Sequence, residues 1–158
     1  MNIVLARIDD RLIHGQVATV WSKVTGCNRI IVCDDEVAKD AIRSTLLKQV
    51  APPGIKSHVV DVDKAVRVYN NPKYANDKCL LLFTCPESVL RMVEQGVDIK
   101  TINIGGMSFK EGKRQITGAV SVDDADVEAF KKLNEKGIEL EIRKVNTDKK
   151  VMLMDVLK

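Results

Sequence analysis

A short polar segment near the amino terminus carries the side chains best suited to chemistry. The segment 9–16 reads DDRLIHGQ and brings together one imidazole, one guanidinium and two carboxylates. A neutral imidazole is a nucleophile, and an unperturbed histidine, with a pKa of about 6.5, is mostly neutral in a cytoplasm. The planar fork of Arg11 can neutralise phosphoryl oxygens. His14 and Arg11 are therefore candidates to accept and hold a phosphoryl group.

The elements on either side of this segment would position these groups. The apolar run at 3–6, IVLA, predicts a strand, and a helical pattern starts near Gln16. The first N–H groups of a helix have no partner inside the helix, so they favour a bound anion. Gly15 removes a side chain where a phosphoryl group would approach the backbone. An ordinary loop histidine, solvated or hydrogen bonded, is the alternative interpretation of His14.

Longer motifs in the chain resemble those of a known family. The segment 6–17, ARIDDRLIHGQV, is similar to the active-site signature of the enzyme IIB component of the mannose/fructose/sorbose family of the bacterial sugar phosphotransferase system (PTS). Further segments match in the same order: 49–54 (QVAPPG), 68–72 (VYNNP) and 103–107 (NIGGM). The resemblance covers essentially the whole chain and is greatest for the mannose and sorbose branch.

The resemblance implies a phosphotransferase that carries a phosphoryl group. His14 would accept this group from a phosphohistidine of the IIA component. It would then pass it to a sugar, with mannose as the first expectation, held by the IIC and IID membrane components. Arg11 would bind the phosphoryl oxygens, and Asp9 would accept the N–H of one ring nitrogen so that the other attacks. Gly15 and Gln16 would supply backbone donors.

The resemblance leaves several points open. The sequence contains neither a IIA domain nor its linker, so the chain is either a free-standing IIB component or an excised domain. The sugar, the oligomeric state and the phosphorylated ring nitrogen are not decided. The alternative function is a non-catalytic, flavodoxin-like module that binds a phosphate or nucleotide. The sequence does not favour a nucleotide as the ligand of such a module, because no G-x-G-x-x-G follows the first strand and no Walker lysine motif is present.

Composition excludes several other classes of protein. A chain of 158 residues fits one domain, spanning 1–158, and its 25 basic and 22 acidic residues are interspersed. This charge balance and the few aromatic residues argue against a nucleic-acid partner. The cysteines show no C-x-x-C spacing, so they predict reduced core residues, and neither a metal nor a cofactor is expected. No signal peptide or apolar membrane span is predicted, which indicates a cytoplasmic protein that reaches the membrane through IIC and IID.

Apolar runs alternate with helical periodicity from end to end. This pattern predicts an α/β fold with an open, twisted, mainly parallel sheet and helices on both faces. The strict alternation at 138–142 places the last predicted strand at or near an edge, where self-association is possible. Inward helix faces are predicted from two groups of residues. These are Val17, Val20, Trp21 and Val24 in the first helix, and Ala38, Ala41, Ile42 and Leu46 in the second.

The predicted topology also ranks the remaining polar residues. Chemistry gathers at the carboxyl ends of parallel strands, so His58, near the start of the predicted strand 58–62, is expected at the wrong edge. The loop 105–109, GGMSF, should leave the same edge as the His14 loop. Its Gly105 and Gly106 either allow close approach of backbone or simply form a turn. Acidic residues at 34–36 are better explained as helix caps than as a metal site.

Overall fold

The computed structural model describes residues 1–157 and contains an open sheet with a small separate hairpin. The strands are β1 (Asn2–Asp9), β2 (Arg29–Cys33), β3 (Lys56–Val60), β4 (Lys78–Phe83), β5 (Thr101–Gly106), β6 (Arg114–Thr117), β7 (Val120–Val122), β8 (Glu139–Ile142) and β9 (Val151–Met152). The α-helices are α1 (Ser22–Thr25), α2 (Asp35–Lys39), α3 (Ala41–Gln49), α4 (Val62–Asn70), α5 (Pro86–Glu94), α6 (Asp124–Glu135) and α7 (Leu153–Val156). A π-helical turn, Val17–Trp21, precedes α1, and a 3-10 turn, Pro72–Tyr74, follows α4.

The main sheet has the order β3-β2-β4-β1-β5-β8-β9. All neighbouring strands run parallel except β8 and β9, which are antiparallel. The predicted mainly parallel sheet is confirmed, and β8 lies next to the edge as its alternation predicts. β1 therefore occupies a central position between β4 and β5, so its carboxyl end opens onto the middle of the sheet.

Hydrophobic clusters cover both faces of the sheet. Along β2, Ile30 and Val32 belong to one cluster while Ile31 and Cys33 belong to the other, as the alternation of side chains in a strand requires. The π-helical turn, α2 and α3 pack against the first face, and α4, α5, α6 and α7 against the second. Helices on both faces are thus confirmed. Within residues 1–157, no helix is both long and apolar enough to cross a bilayer.

Both predicted helix faces need correction. In the first helix, Val17 and Trp21 are buried, but Val24 is 54% exposed. The π-helical turn inserts an extra residue into the helical repeat, so Ser22 takes the inward position instead. Val20 is only partly buried.

The second helix is interrupted by Asp40, whose side chain accepts the N–H of Arg43 and starts α3 afresh. This restart turns Ser44 and Leu47 inward. The predicted inward residues are therefore wrong: Ala41 is exposed, as are Ile42 (76%) and Leu46 (58%), and Ala38 is partly buried.

The cysteines are free, as predicted. Cys27, Cys33 and Cys79 are buried and Cys85 is partly buried. Burial raises the pKa of Cys79 to about 11, so this thiol stays protonated and packs as a small apolar residue.

Candidate functional site

The site begins where β1 ends, at Asp9. The next residues turn back over the end of the strand, and the N–H of Leu12 donates to the carbonyl of Asp9 at 2.9 Å. Leu12 has a φ of 61°, a left-handed conformation that costs about 1–3 kcal/mol in a non-glycine residue. Its side chain is fully buried in the core, which holds the turn in place. This turn brings His14 back beside Asp9.

Asp9 is the centre of the hydrogen-bond network. Its carboxylate is fully buried and accepts from Arg7 Nη2 at 3.0 Å and from Arg11 Nη2 at 2.9 Å. Arg11 also donates its Nε (3.0 Å) and its backbone N–H (3.1 Å) to the other oxygen. Burial by itself raises the pKa of Asp9, but the Arg11 hydrogen bonds and the Arg7 charge outweigh it, so the pKa lies below its ordinary value. Asp9 is therefore an ionised carboxylate shared by two guanidiniums.

His14 lies over this carboxylate, with its side chain 19% exposed. Its Nδ1 is 2.9 Å from the carbonyl oxygen of Leu12, and because a carbonyl oxygen only accepts, Nδ1 carries a hydrogen and donates there. Its Nε2 is 3.7 Å from Asp9 Oδ2 and has no hydrogen bond. The predicted hydrogen bond from a ring N–H of His14 to Asp9 is therefore not formed among the described residues. The left-handed turn supplies the Leu12 carbonyl as acceptor instead, and the Asp9 oxygens already bind two arginines.

Neither ring nitrogen of His14 is free as the ring stands in the structure. Nε2 of His14 is enclosed by protein, and Nδ1 is occupied by the Leu12 carbonyl. A new bond at either nitrogen would therefore need the ring to rotate and, at Nδ1, to give up this hydrogen bond.

Arg11 is the accessible cation of the site. Its side chain is 47% exposed, and its hydrogen bonds to Asp9 raise its pKa further above the ordinary value. The helix begins immediately after His14, since the N–H of Ala18 donates to the His14 carbonyl at 2.9 Å. The N–H groups of Gly15 and Gln16 precede this first helical bond. Together these groups form a positively polarised surface next to the imidazole.

The loop after β5 lies against the same site. Asp10 accepts the backbone N–H of Ser108 at 2.7 Å and its hydroxyl at 2.9 Å, which ties the two loops together. The prediction that both loops leave the same edge is confirmed. Gly105, however, lies over Arg7, and a Cβ at this position would overlap the guanidinium. The glycine makes room for a buried arginine.

Comparison with known proteins decides the family. The sequence matches the family described as PTS system sorbose subfamily IIB component over residues 3–158. The chain belongs to this family. The resemblance seen in the motifs is therefore confirmed.

Relatives of the chain share this description. The chain is 64% identical over 157 residues to the PTS system mannose-specific EIIAB component of Escherichia coli, covering 99% of this chain and 49% of the relative. It thus spans about half the length of that relative. It is 55% identical to the sorbose-specific EIIB component of Klebsiella pneumoniae, covering 98% and 94% of the two chains. The crystal structure of the IIBSor domain of the Klebsiella sorbose permease superimposes with a TM-score of 0.96 at 55% identity, covering 98% and 95% of the chains.

Sequence reasoning missed one residue of the candidate site, Arg7. It lies in the buried end of β1 and is fully buried itself. A basic residue immediately after the apolar run at 3–6 was the available signal, because a central strand rarely tolerates a charge without a partner. Its more distant partners lie far along the chain and have no local signature.

The other candidates take structural roles. His58 lies on β3, where Nη1 of Arg29, the first residue of β2, donates to its Nε2. His58 is the third of the five residues of β3, so the prediction that it lies near the start of a strand at 58–62 is wrong, because the strand begins two residues earlier, at Lys56. β2 and β4 separate β3 from β1, which keeps His58 away from the carboxyl end of β1. Asp34 caps α2 by accepting the N–H of Val37, so its prediction as a cap is confirmed. Trp21 is a core residue, 3% exposed.

Proposed function

We propose that this chain is the phosphocarrier of a PEP-dependent sugar phosphotransferase system. His14 accepts a phosphoryl group from a phosphohistidine of a IIA component and transfers it to a sugar during uptake. The observation that carries the proposal is the position of His14 beside the Asp9–Arg11 pair, at the mouth of a central parallel strand and at the start of a helix. Mannose is the first expected sugar, since the mannose-specific relative is 64% identical.

The transfer steps balance without a cofactor. A lone pair of the rotated His14 ring attacks phosphorus, the P–N bond of the donor breaks, and the donor imidazole keeps the electron pair. In the second step, a sugar hydroxyl oxygen attacks phosphorus, the P–N bond to His14 breaks, and the hydroxyl proton leaves to the freed imidazole. Both bonds exchanged in the first step are P–N bonds, so the step stays near balance. Positioning and charge neutralisation then dominate catalysis.

The described groups fit these steps. Arg11 exchanges one of its Asp9 contacts for phosphoryl oxygens, because it is the exposed member of the network. Gly15 and Gln16 offer backbone N–H donors at the helix start. Asp9 keeps Arg11 aligned between transfers.

We further propose that residues 1–158 act as one EIIB domain in the cytoplasm. Its partners are a IIA donor and the IIC and IID membrane components, through which it is held at the membrane. Lys110 and Arg114, exposed beside the loop after β5, suit a phosphorylated, acidic donor surface. Lys113 is less available, because its ammonium pairs with Asp126 at 2.9 Å.

Incubation with phosphoenolpyruvate, the general phosphocarrier proteins and a matching IIA tests the proposal. Intact mass spectrometry should show one added phosphoryl group that is labile in acid and stable in alkali. His14→Ala should show none. A wild-type chain that gains no mass would instead favour the non-catalytic binding module. Growth complementation with mannose, sorbose and fructose then identifies the sugar.

A further inference from the structure

Arg7 is a second guanidinium on the site carboxylate, and it is out of reach of any ligand. It is fully buried and donates to Asp9 Oδ2 at 3.0 Å. It also donates to the side-chain oxygen of Asn103 and to the carbonyls of Arg143 and Lys144, both at 3.2 Å. Fixed contacts on several sides hold this cation in one orientation.

A second layer of residues holds these partners in place. The side-chain amide of Asn103 donates to Glu141 at 3.0 Å, and Glu141 in turn binds Arg143 at 2.9 Å. Trp21 places its ring 5.3 Å from the Arg7 guanidinium and donates its indole N–H to the Lys144 carbonyl at 2.8 Å. These contacts join β1, β5, β8 and the π-helical turn around one buried arginine.

Gly105 completes the enclosure. A side chain there would overlap the Arg7 guanidinium, whereas a Cβ at Gly118 would meet nothing within 4 Å. Both glycines have φ values outside the left-handed region. Gly105 is therefore required by the arginine and not by the turn.

Arg7 and Arg11 both neutralise Asp9, one from the buried side and one from the exposed side. If Arg11 were the sole partner of Asp9, moving it to a phosphoryl group would leave a buried carboxylate without a counter-ion, which is strongly unfavourable. With Arg7 in place, Asp9 stays paired while the exposed Arg11 moves.

We propose that Arg7 is a positioning residue for phosphoryl transfer, a permanent counter-ion of Asp9 that frees Arg11 to bind the phosphoryl group. The inference rests on the proposed function and adds a residue to it. Arg7 touches neither donor nor sugar and acts only through Asp9 and Arg11.

The test is the single-turnover rate of His14 phosphorylation by a phosphorylated IIA component, measured from pH 5 to 8 and scaled to the folded fraction by circular dichroism. Arg7→Met should slow the reaction on the order of 100-fold, as small misplacements of a catalytic group do. Gly105→Ala, which changes no charge, should slow it in the same direction. Gly118→Ala is the matched control and should react like the wild type.

The pH profile separates positioning from a merely structural role. Without the Arg7 charge, burial raises the pKa of Asp9, so Asp9 takes up a proton as the pH falls and releases Arg11. The deficit of Arg7→Met relative to the wild type should therefore shrink toward pH 5. The double variant Arg7→Met/Asp9→Asn has no carboxylate to retain Arg11, so it should react faster than Arg7→Met.

The outcomes are distinguishable. This inference alone is overturned if the wild type reacts and Arg7→Met keeps the wild-type rate, or if the deficit of Arg7→Met is the same at every pH. It is also overturned if Gly105→Ala reacts as fast as Gly118→Ala. A wild type that takes up no phosphoryl group overturns the proposed function, and the inference with it. If Arg7→Met does not fold, Gly105→Ala decides the inference: a rate below that of Gly118→Ala supports it, and a rate equal to that of Gly118→Ala overturns it.

Discussion

The chain contains two clusters in which a histidine, an arginine and an aspartate meet, and they are built differently. Around His14, the arginines bind the aspartate, and the ring receives no hydrogen bond from a guanidinium among the described residues. Around His58, Arg29 donates directly to the ring and also binds Asp77 at 3.0 Å. The same residue types therefore leave an arginine exposed to solvent in one case and form a closed structural contact in the other.

Exposure and charge explain the difference. The Arg11 side chain is 47% exposed, whereas that of Arg29 is 12% exposed and stacks on Tyr74. Burial and the charges of Arg29 and neighbouring lysines lower the pKa of His58, so its ring is a neutral acceptor. Of the two clusters, only that of His14 combines a half-exposed arginine with a helix start beside it.

The largest difference between the clusters is expected in phosphorylation. His14→Gln should abolish uptake of a phosphoryl group from phosphorylated IIA, because the nucleophile is lost. His58→Gln should retain full uptake. Intact mass spectrometry after the same incubation measures both, and loss of labelling in His58→Gln would contradict the comparison.

The second largest difference is expected between substitutions of Arg11 and Arg29. Arg11→Ala should lower the transfer rate by about 100-fold, the usual cost of one charge-stabilising donor, with the fold retained. Arg29→Ala should keep the rate but lower the free energy of unfolding by about 1–2 kcal/mol, since it removes a partly buried charged hydrogen bond. Rapid-quench kinetics and urea unfolding measure the two effects. Equal transfer rates for Arg11→Ala and Arg29→Ala would contradict the different roles of the two arginines.

Acid should destabilise the protein through Asp9. Its folded pKa lies below the unfolded value of about 3.9, so its contribution is complete above about pH 5 and is lost as the pH falls through the folded pKa. Asp9→Asn should therefore be less stable at neutral pH and show a flatter stability profile below pH 5. Urea midpoints across this range test the prediction, and Asp77→Asn, the equivalent change at the His58 cluster, is the control.

The smallest effect is expected from His58. Its folded pKa lies below 6.5, so the unfolded chain binds the proton first and stability falls as the pH drops below about 6.5. In His58→Gln, the free energy of unfolding should no longer fall with pH between pH 7 and the folded pKa of His58. If the urea midpoints of His58→Gln fall with decreasing pH as steeply as those of the wild type, the pH dependence does not come from His58.

Local sequence patterns predicted much of the fold and part of the candidate site. The alternation of apolar runs predicted the parallel sheet, and the segment 9–16 indicated His14 and Arg11 at the end of β1. The same patterns failed at Val24, Ile42 and Leu46, because the π-helical turn and the Asp40 cap reset the helical phase. Such resets depend on how the backbone packs against the sheet.

The sequence by itself determined the chemistry available to this protein, since residue type and spacing placed an imidazole, a guanidinium and a carboxylate on one strand-to-helix turn. Only the tertiary structure decided how these groups are connected. Leu12 presents its carbonyl to the ring, and Arg7 finds Asn103 and the Arg143 carbonyl across 96 and 136 residues of sequence. Hydrogen bonds between distant strands follow from the order of the sheet, and that order has no local signature in the chain.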